Sequence, residues 1–383
     1  LNLLKTKLMN KLVIFHPAIA PYRIDFFNSL NDTFDASFYF LHKNALEQSF
    51  DQVALRERLS FSPKYLSPGL FGLKNLRLGV FSILKKERPH IVFCSEYNML
   101  GLFVLFHKWL FNRRIKVITI CDDSKEIAEN VKIKQKIVRY FLVKKFDGII
   151  LANQSVINWY KVSFPKESRK IIFFPIIQED NNFRMLLKNA LPKSKIYANN
   201  LNLKYKRIIL YVGRLAVVKN LDLLINSFFY VHKKDSSCVL LIVGEGENYN
   251  HLLQRTKELD ISDNVFFLGK KQGEDLFSLY NIGQIFVLPS IYEPFGAVVN
   301  EALLAGCNTL CSSIAGASDL IYKNENGYLF NPYDIKDLIN KLEIELSSTT
   351  KLDKIEVKVN KMHKSYANYY QTFINDLKSL LPS

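Results

Sequence analysis

The chain has 383 residues, of which 48% are hydrophobic and 23% charged; this excludes wholesale disorder, and at roughly 100–200 residues per domain it calls for two domains or three. Five scattered cysteines (Cys94, Cys121, Cys238, Cys307, Cys311) with no C-x-x-C pair exclude a zinc ribbon and a thioredoxin-like site, and reduced thiols are expected. The net charge is +16: residues 1–180 hold 28 Lys and Arg against 16 Asp and Glu, the remainder 24 against 20, so the basic half asks for nucleic acid, an anionic lipid surface or a phosphorylated substrate.

In chain order, Leu1 to Lys5 hold no signal-peptide core, and Met9 directly precedes the first apolar run, so the first eight residues read as an extension. Leu12 to Phe15 is a short buried-strand pattern ending in His16-Pro17, and Tyr22 to Leu30 follows at helical spacing. Further strands are expected at Ser37–Leu41, Ile91–Cys94, Lys116–Cys121 and Gly148–Ala152. Between the last two lies a basic helix near 126–145, with Ile133, Ile137, Tyr140 and Phe141 on one face. The apolar stretch Gly101 to Phe111 is broken by His107 and Lys108, well short of the ~20 residues of a membrane helix. Polar and turn-forming residues collect at about 176–205, which reads as a linker with a little helix. A second alternating series has strands at 207–212, 238–243, 265–267, 285–288 and 308–312, and helices at 220–232 and about 296–305. Residues 354–382 look helical, with Tyr366, Tyr369, Tyr370 and Phe373 on one side. Two doubly wound α/β domains are expected, with ligands at the carboxyl ends of the strands.

Three places carry chemistry. Gly213-Arg214 ends a strand and is followed by Lys219, a close backbone approach with two cations suited to a diphosphate; a solvated loop is the plain alternative. Gly244-Glu245-Gly246 follows the next strand, a weak phosphate signal that ordinary tight turns share. Ser290, then Glu293-Pro294-Phe295-Gly296, then Glu301 take a strand through a turn into a helix whose free amides favour phosphate, with two carboxylates placed to accept from hydroxyls. Otherwise Glu293 complements the helix dipole and Glu301 is solvated.

With Leu268-Gly269, these runs resemble the donor domain of family-4 glycosyltransferases of GT-B fold, whose Glu-x7-Glu signature matches Glu293 and Glu301; the resemblance spans roughly 205–335. It implies a GT-B architecture: two Rossmann-like domains facing a deep cleft, and a C-terminal helix crossing back to the first domain. It also implies retaining, metal-independent transfer of a hexose-type sugar from a nucleotide sugar, UDP-sugar favoured and GDP-sugar possible. No cofactor or metal is expected. By the same resemblance Arg214 and Lys219 bind the donor diphosphate, Glu293 the sugar hydroxyls and Glu301 the ribose. The amides of Gly296, Ala297 and Val298 meet the phosphates, and Leu268, Gly269 and Lys270 line the base pocket. Gly213, Gly244, Glu245, Ser290, Pro294 and Phe295 complete the donor set.

The expected domains are 1–190 for the acceptor, 205–353 for the donor, and 354–383 as the returning helix. In the first half, His16-Pro17 through Pro21-Tyr22-Arg23 resembles bacterial surface-polysaccharide members, although Ala18-Ile19-Ala20 stands where a Gly-Gly pair is common. Asp122-Asp123-Ser124 stands where many members place a histidine. Either Asp122 or Asp123 assists acceptor deprotonation, or they cap the next helix. His16, Tyr22 and Arg23 are the remaining acceptor-side candidates. Lys132, Lys134, Lys136, Arg139, Lys144 and Lys145 form one basic region. Lys74, Arg77, Lys85, Lys86 and Arg88 interleave with Leu70, Phe71, Leu76, Leu78 and Phe81. Both suit peripheral attachment to an anionic inner-membrane leaflet carrying a lipid-linked or saccharide acceptor, from the cytoplasmic side; a solvated basic helix is the alternative. No nucleic-acid motif is present. A nucleotide-sugar epimerase or a non-catalytic nucleotide-sugar-binding protein are the other functions this fold allows.

Overall fold

The computed structural model describes residues 8–44, 50–67, 69 and 77–381. Leu70, Phe71, Lys74 and Leu76 of the interleaved basic stretch lie outside these, as do residues 1–7. The chain divides into two compact units, Leu1–Gln178 with Ala367–Ser383, and Glu179–Tyr366.

Unit 1 carries, among the described residues, seven strands: β1 (Leu8–His16), β2 (Phe34–Phe40), β3 (Lys64–Tyr65), β4 (Ile91–Ser95), β5 (Lys116–Cys121), β6 (Gly148–Leu151) and β7 (Ile171–Phe173). They form one sheet in the order β3-β2-β1-β4-β5-β6-β7, with parallel pairing throughout. Short runs such as Ile91–Ser95 are buried along their whole length, as strands covered by helices on both faces must be. Val13, Val92 and Val117 pack with Leu100, Val104 and Leu142 in one cluster, and Ile149 and Leu151 pack with Val156, Ile157 and Tyr160 in another. Each such buried side chain contributes about 1.5–3 kcal/mol.

Unit 2 repeats the plan with β8 (Arg207–Val212), β9 (Cys238–Val243), β10 (Val265–Phe267), β11 (Ile285–Leu288), β12 (Asn308–Ser312) and β13 (Gly327–Phe330), ordered β10-β9-β8-β11-β12-β13. Ile209, Leu240 and Val287 of this sheet bury against Leu221, Leu224 and Phe228 of the helix Leu221–Lys234, and against Leu338 and Leu342. All five cysteines are free and buried.

Two local expectations change here. The basic helix near 126–145 is two helices, Lys125–Asn130 and Ile133–Lys145, separated where Val131 and Lys132 turn extended. Ile133, Ile137, Tyr140 and Phe141 share a face as expected, and that face is exposed; the buried residues of that helix are Arg139, Leu142 and Val143. Residues in the 176–205 stretch form two ten-residue helices, Asp180–Asn189 and Leu191–Asn200, because Phe183, Leu187 and Ala198 find a buried surface in unit 2.

The C-terminal helix runs over Tyr366–Ser379, and residues 354–362 ahead of it have no regular structure. It packs back on unit 1: Phe373 meets Phe26 and Phe174 with ring centroids 5.4 and 5.2 Å apart, and the Tyr370 hydroxyl donates to the Ser29 carbonyl at 2.8 Å.

Candidate functional site

In each sheet the strand order reverses once, between β1 and β4 in unit 1 and between β8 and β11 in unit 2. In open α/β sheets ligands bind beyond the carboxyl ends of the strands at such a switch, because the two connections leave in opposite directions and open a crevice.

At the switch of unit 2, the loops after β8, β9 and β10 are joined edge to edge. The Gly213 amide donates to the Val243 carbonyl at 2.9 Å, and the Gly244 amide to the Gly269 carbonyl at 3.0 Å. Gly244 adopts a φ of 149°, and a Cβ there would stand 1.8 Å from the Gly213 carbonyl oxygen, so only glycine permits this approach. Arg214 is exposed in the first loop, which the buried Tyr211 fixes from below by donating to the Arg214 carbonyl at 2.8 Å. Glu245 accepts from the Lys270 amide at 3.4 Å.

Across the switch, the loop after β11 carries Ser290 and Glu293. Lys219 reaches over from the β8 loop to pair with Glu293 at 2.5 Å, the two side chains being 13% and 12% exposed. Ser290 Oγ donates to the same carboxylate at 3.4 Å, and the Ile291 amide donates to the Val218 carbonyl at 2.9 Å. Gly296, at φ 95°, opens the helix Ala297–Leu304 and makes no side-chain cap there, with the Glu293 side chain beside it. Pro294 and Phe295 form the turn that leads into it. Just over one turn in, Glu301 accepts from the buried hydroxyl of Tyr280 at 2.7 Å.

The structure therefore brings together Gly213, Arg214, Lys219, Gly244, Glu245, Leu268, Gly269, Lys270, Ser290, Glu293 and Gly296 on one strand-end edge, with Ala297, Val298 and Glu301 on the helix leaving it. Tyr280, which positions Glu301, has no signal in the sequence, being one aromatic among many in a distant helix.

At the switch of unit 1, His16 ends β1 and is buried. Its Nδ1 lies 2.9 Å from the Ala18 carbonyl, which can only accept, so Nδ1 carries the proton. Burial, then the Arg23 charge, pushes its pKa down to about 4; the ring is neutral near pH 7, with Nε2 as the acceptor. Tyr22 lies beside it with its pKa raised by burial and then by the Asp122 charge. Arg23 is fully buried and donates to Asp122. Asp123 is paired with the buried Arg139 at 2.5 Å, and burial is the main cause of its raised pKa. Neither aspartate caps the next helix: Ser124 does, accepting from the Ile127 amide at 3.2 Å.

Glu96, absent from the sequence-based candidates, follows β4 directly across the switch from His16. Its φ is 59°, its amide donates to the Ile120 carbonyl at 2.8 Å, and its side chain reaches solvent. The surrounding protein nonetheless desolvates it; that burial, with the charges of Asp122 and Asp123, pushes its pKa up to about 7. No sequence signal marks it, since a positive φ right after a buried strand is visible only in the folded chain.

Among the described residues no group of three His, Cys, Asp or Glu side chains is placed to hold a metal ion, and no helix is long and apolar enough to cross a membrane.

Residues 193–362 match the family described as Glycosyl transferases group 1. An uncharacterized glycosyltransferase of Methanocaldococcus jannaschii is 34% identical over 127 residues, 33% of this chain and 32% of that protein; in the relatives at 34% identity the matched region spans about a third of their length. The capsular polysaccharide biosynthesis glycosyltransferase CapM of Staphylococcus aureus is 25% identical over 282 residues, 71% of this chain and 70% of CapM. The crystal structure of Anabaena HepE in complex with UDP superposes with a TM-score of 0.70 and 17% identity, over 97% of this chain and 98% of that one. Two parallel sheets, a returning C-terminal helix and these likenesses give the chain the GT-B fold, with a second unit similar in sequence to the group 1 glycosyl transferases.

Proposed function

We propose that this chain is a retaining, metal-independent glycosyltransferase that moves a hexose-type sugar from a nucleotide sugar, UDP-sugar favoured, to a lipid-linked or saccharide acceptor in surface-polysaccharide assembly. The observation that carries the reading is the edge at the unit 2 switch, where three glycine loops are stitched together beside Lys219, Arg214, Glu293 and an uncapped helix N-terminus. Backbone amides and two cations facing one crevice suit a diphosphate. The similarity to CapM and the UDP in the HepE structure support the pathway and the donor class.

In this reading the bond from the anomeric carbon to the diphosphate oxygen breaks, and its electron pair leaves with the nucleotide. Arg214 and Lys219 offset the charge that develops there, the task a divalent metal performs in other transferases. When the donor arrives, Lys219 turns from Glu293 toward the phosphates and Glu293 is released to accept from sugar hydroxyls. Glu301, held by Tyr280, accepts from the ribose. The acceptor oxygen forms the new bond to the anomeric carbon, and its proton leaves with the departing phosphate oxygen. At the strand-end edge of unit 1, Asp122 and Asp123 are engaged by arginines, and Glu96 carries no ion pair among the described residues. We place the enzyme at the cytoplasmic face of a membrane, where a lipid-linked acceptor is presented.

The test is a thermal-shift panel of UDP, GDP, ADP and dTDP sugars on wild type and Arg214→Ala. A ligand that binds only the folded state raises the melting temperature by mass action. One nucleotide class stabilising wild type and not the variant is the expected result. Equal shifts in both proteins, or none from any nucleotide, would overturn the donor site.

A further inference from the structure

The helix Ile133–Lys145 buries only Arg139, Leu142 and Val143 of its 13 residues. Its outer stripe is apolar, with Ile133 76% and Ile137 66% exposed, and Phe141 exposed beyond them. The helix Met99–Leu110 shares a buried cluster with it through Leu100, Val104 and Leu142, and ends in Phe106, Trp109 (62% exposed) and Phe111 (70% exposed). Water-facing isoleucine, phenylalanine and tryptophan gathered on two packed helices are uncommon in a chain that stays in bulk water.

The charges on these two helices have one sign. Neither helix contains an aspartate or glutamate. Lys132, Lys134, Lys136, Lys144 and Lys145 flank the stripe, and Arg113 and Arg114 follow the other helix, all of them exposed. A second copy of the chain would bring lysines against lysines, and a polynucleotide gains nothing from Ile133 or Ile137. An anionic bilayer satisfies both features: acyl chains receive the apolar side chains while headgroups meet the ammonium groups.

The inner side of the same helix leads elsewhere. Arg139 turns inward, with its guanidinium on Asp123 at 2.5 Å and its Cζ 5.2 Å from the centroid of the Tyr97 ring. The helix is thus tied at its middle to the carboxylate edge at the unit 1 switch.

We infer that the helices Ile133–Lys145 and Met99–Leu110 form the face by which this chain lies on an anionic bilayer, and that Arg139 ties this contact to Asp123. The inference rests on the proposed lipid-side acceptor only for its purpose; the docking itself stands on the exposed face. Docking fixes the position of the helix, and of Asp123 with it through Arg139, so the edge that is to receive a lipid-linked acceptor is held more firmly when the lipid surface is engaged.

The experiment uses the full chain with vesicles of phosphatidylglycerol, and of phosphatidylcholine for comparison. Trp109 is its own probe: its emission shifts to the blue on phosphatidylglycerol vesicles, and the shift is lost in Trp109→Phe. Ile133→Glu/Ile137→Glu, a change at two exposed positions, weakens vesicle partition by at least about tenfold, and Lys132→Glu/Lys136→Glu does the same with the salt dependence reduced. In wild type, amide exchange over residues 121–124 slows on vesicle addition; in the isoleucine variant it does not. Absence of binding to phosphatidylglycerol, equal binding to phosphatidylcholine, or unchanged partition of the isoleucine variant would overturn the docking face. A dimer that the isoleucine variant abolishes, without vesicle binding, would assign the face to a second copy. Docking with no change over 121–124 would overturn the tie through Arg139. Thermal shift by UDP, run on the same proteins, reports on the donor site separately, so its failure and that of the docking face are distinguishable.

Discussion

Replacing Lys219 by methionine removes a cation from a pair that does two things. The Lys219–Glu293 pair closes at 2.5 Å between side chains that are 13% and 12% exposed, and without Lys219 the described contact left to Glu293 from a neighbouring side chain is the 3.4 Å Ser290 hydroxyl. Breaking a buried pair from one side costs about 3–5 kcal/mol; the residual exposure places this one near the lower end, about 3 kcal/mol. In a unit of this size that lowers the melting temperature by about 6–12 °C. Lys219→Met/Glu293→Gln has no orphaned charge, so most of the stability returns, to within about 1 kcal/mol of wild type. Transfer behaves differently. Loss of the charge facing the diphosphate lowers turnover by about a hundred- to a thousandfold, and the double variant does not recover it. Glu293→Ala also loses transfer while the fold persists. Calorimetry and a radiolabelled sugar-transfer assay on wild type, Lys219→Met, Glu293→Gln and the double variant read both effects. Wild-type turnover by Lys219→Met, or recovery of transfer together with stability in the double variant, would refute the assignment of Lys219 to the donor phosphates.

Three further outcomes are expected. Glu96, with a pKa raised to about 7 from the usual carboxylate range, binds more protons folded than unfolded between about pH 4.5 and 7, so its contribution to stability is lost as pH rises through that window; Glu96→Gln should flatten the fall in melting temperature over that range and be the more stable protein at pH 8, and an unchanged pH profile would show that Glu96 is not desolvated. Tyr280→Phe removes the 2.7 Å bond to Glu301, worth about 1.5 kcal/mol for a charged acceptor, and should raise the donor KM about tenfold with kcat nearly constant; an unchanged KM would dissociate Tyr280 from the ribose contact. Transfer should survive EDTA, since Arg214 and Lys219 supply the charge, and a strict Mg²⁺ requirement would refute that role.

The strands were readable because parallel strands covered on both faces are unbroken apolar runs: Lys116–Cys121, Arg207–Val212, Cys238–Val243, Val265–Phe267, Ile285–Leu288 and Asn308–Ser312 occur with the expected limits. Helices with one buried stripe were readable too, as at Leu221–Lys234. What failed has physical causes. Arg139 looked like one cation of a basic surface; burial against Asp123 is a tertiary fact with no local sequence signature. The polar 176–205 stretch folds into helices because two or three apolar residues per helix suffice when another element supplies the opposing surface. Lys219 and Glu293, 74 residues apart, were each legible as functional, but their pairing was not.

The strand-end rule explains both what was found and what was missed. A buried parallel strand must surrender its last carbonyl-side residues to a loop, and only at the switch do two neighbouring loops diverge and leave room for a ligand. In unit 2 the strands flanking the switch, β8 and β11, run into Gly213-Arg214 and Ser290 to Glu293, whose glycines and charges announce themselves in sequence. In unit 1 the flanking strands, β1 and β4, run into His16 and Glu96. The histidine was noticed because histidine is scarce; the glutamate was passed over because a single exposed glutamate is the commonest of surface residues. Its rank comes only from its address, directly after β4 and beside Asp122 and Asp123. Once a sheet order is known, the residue after each strand at the switch is the one to perturb first, whatever its type.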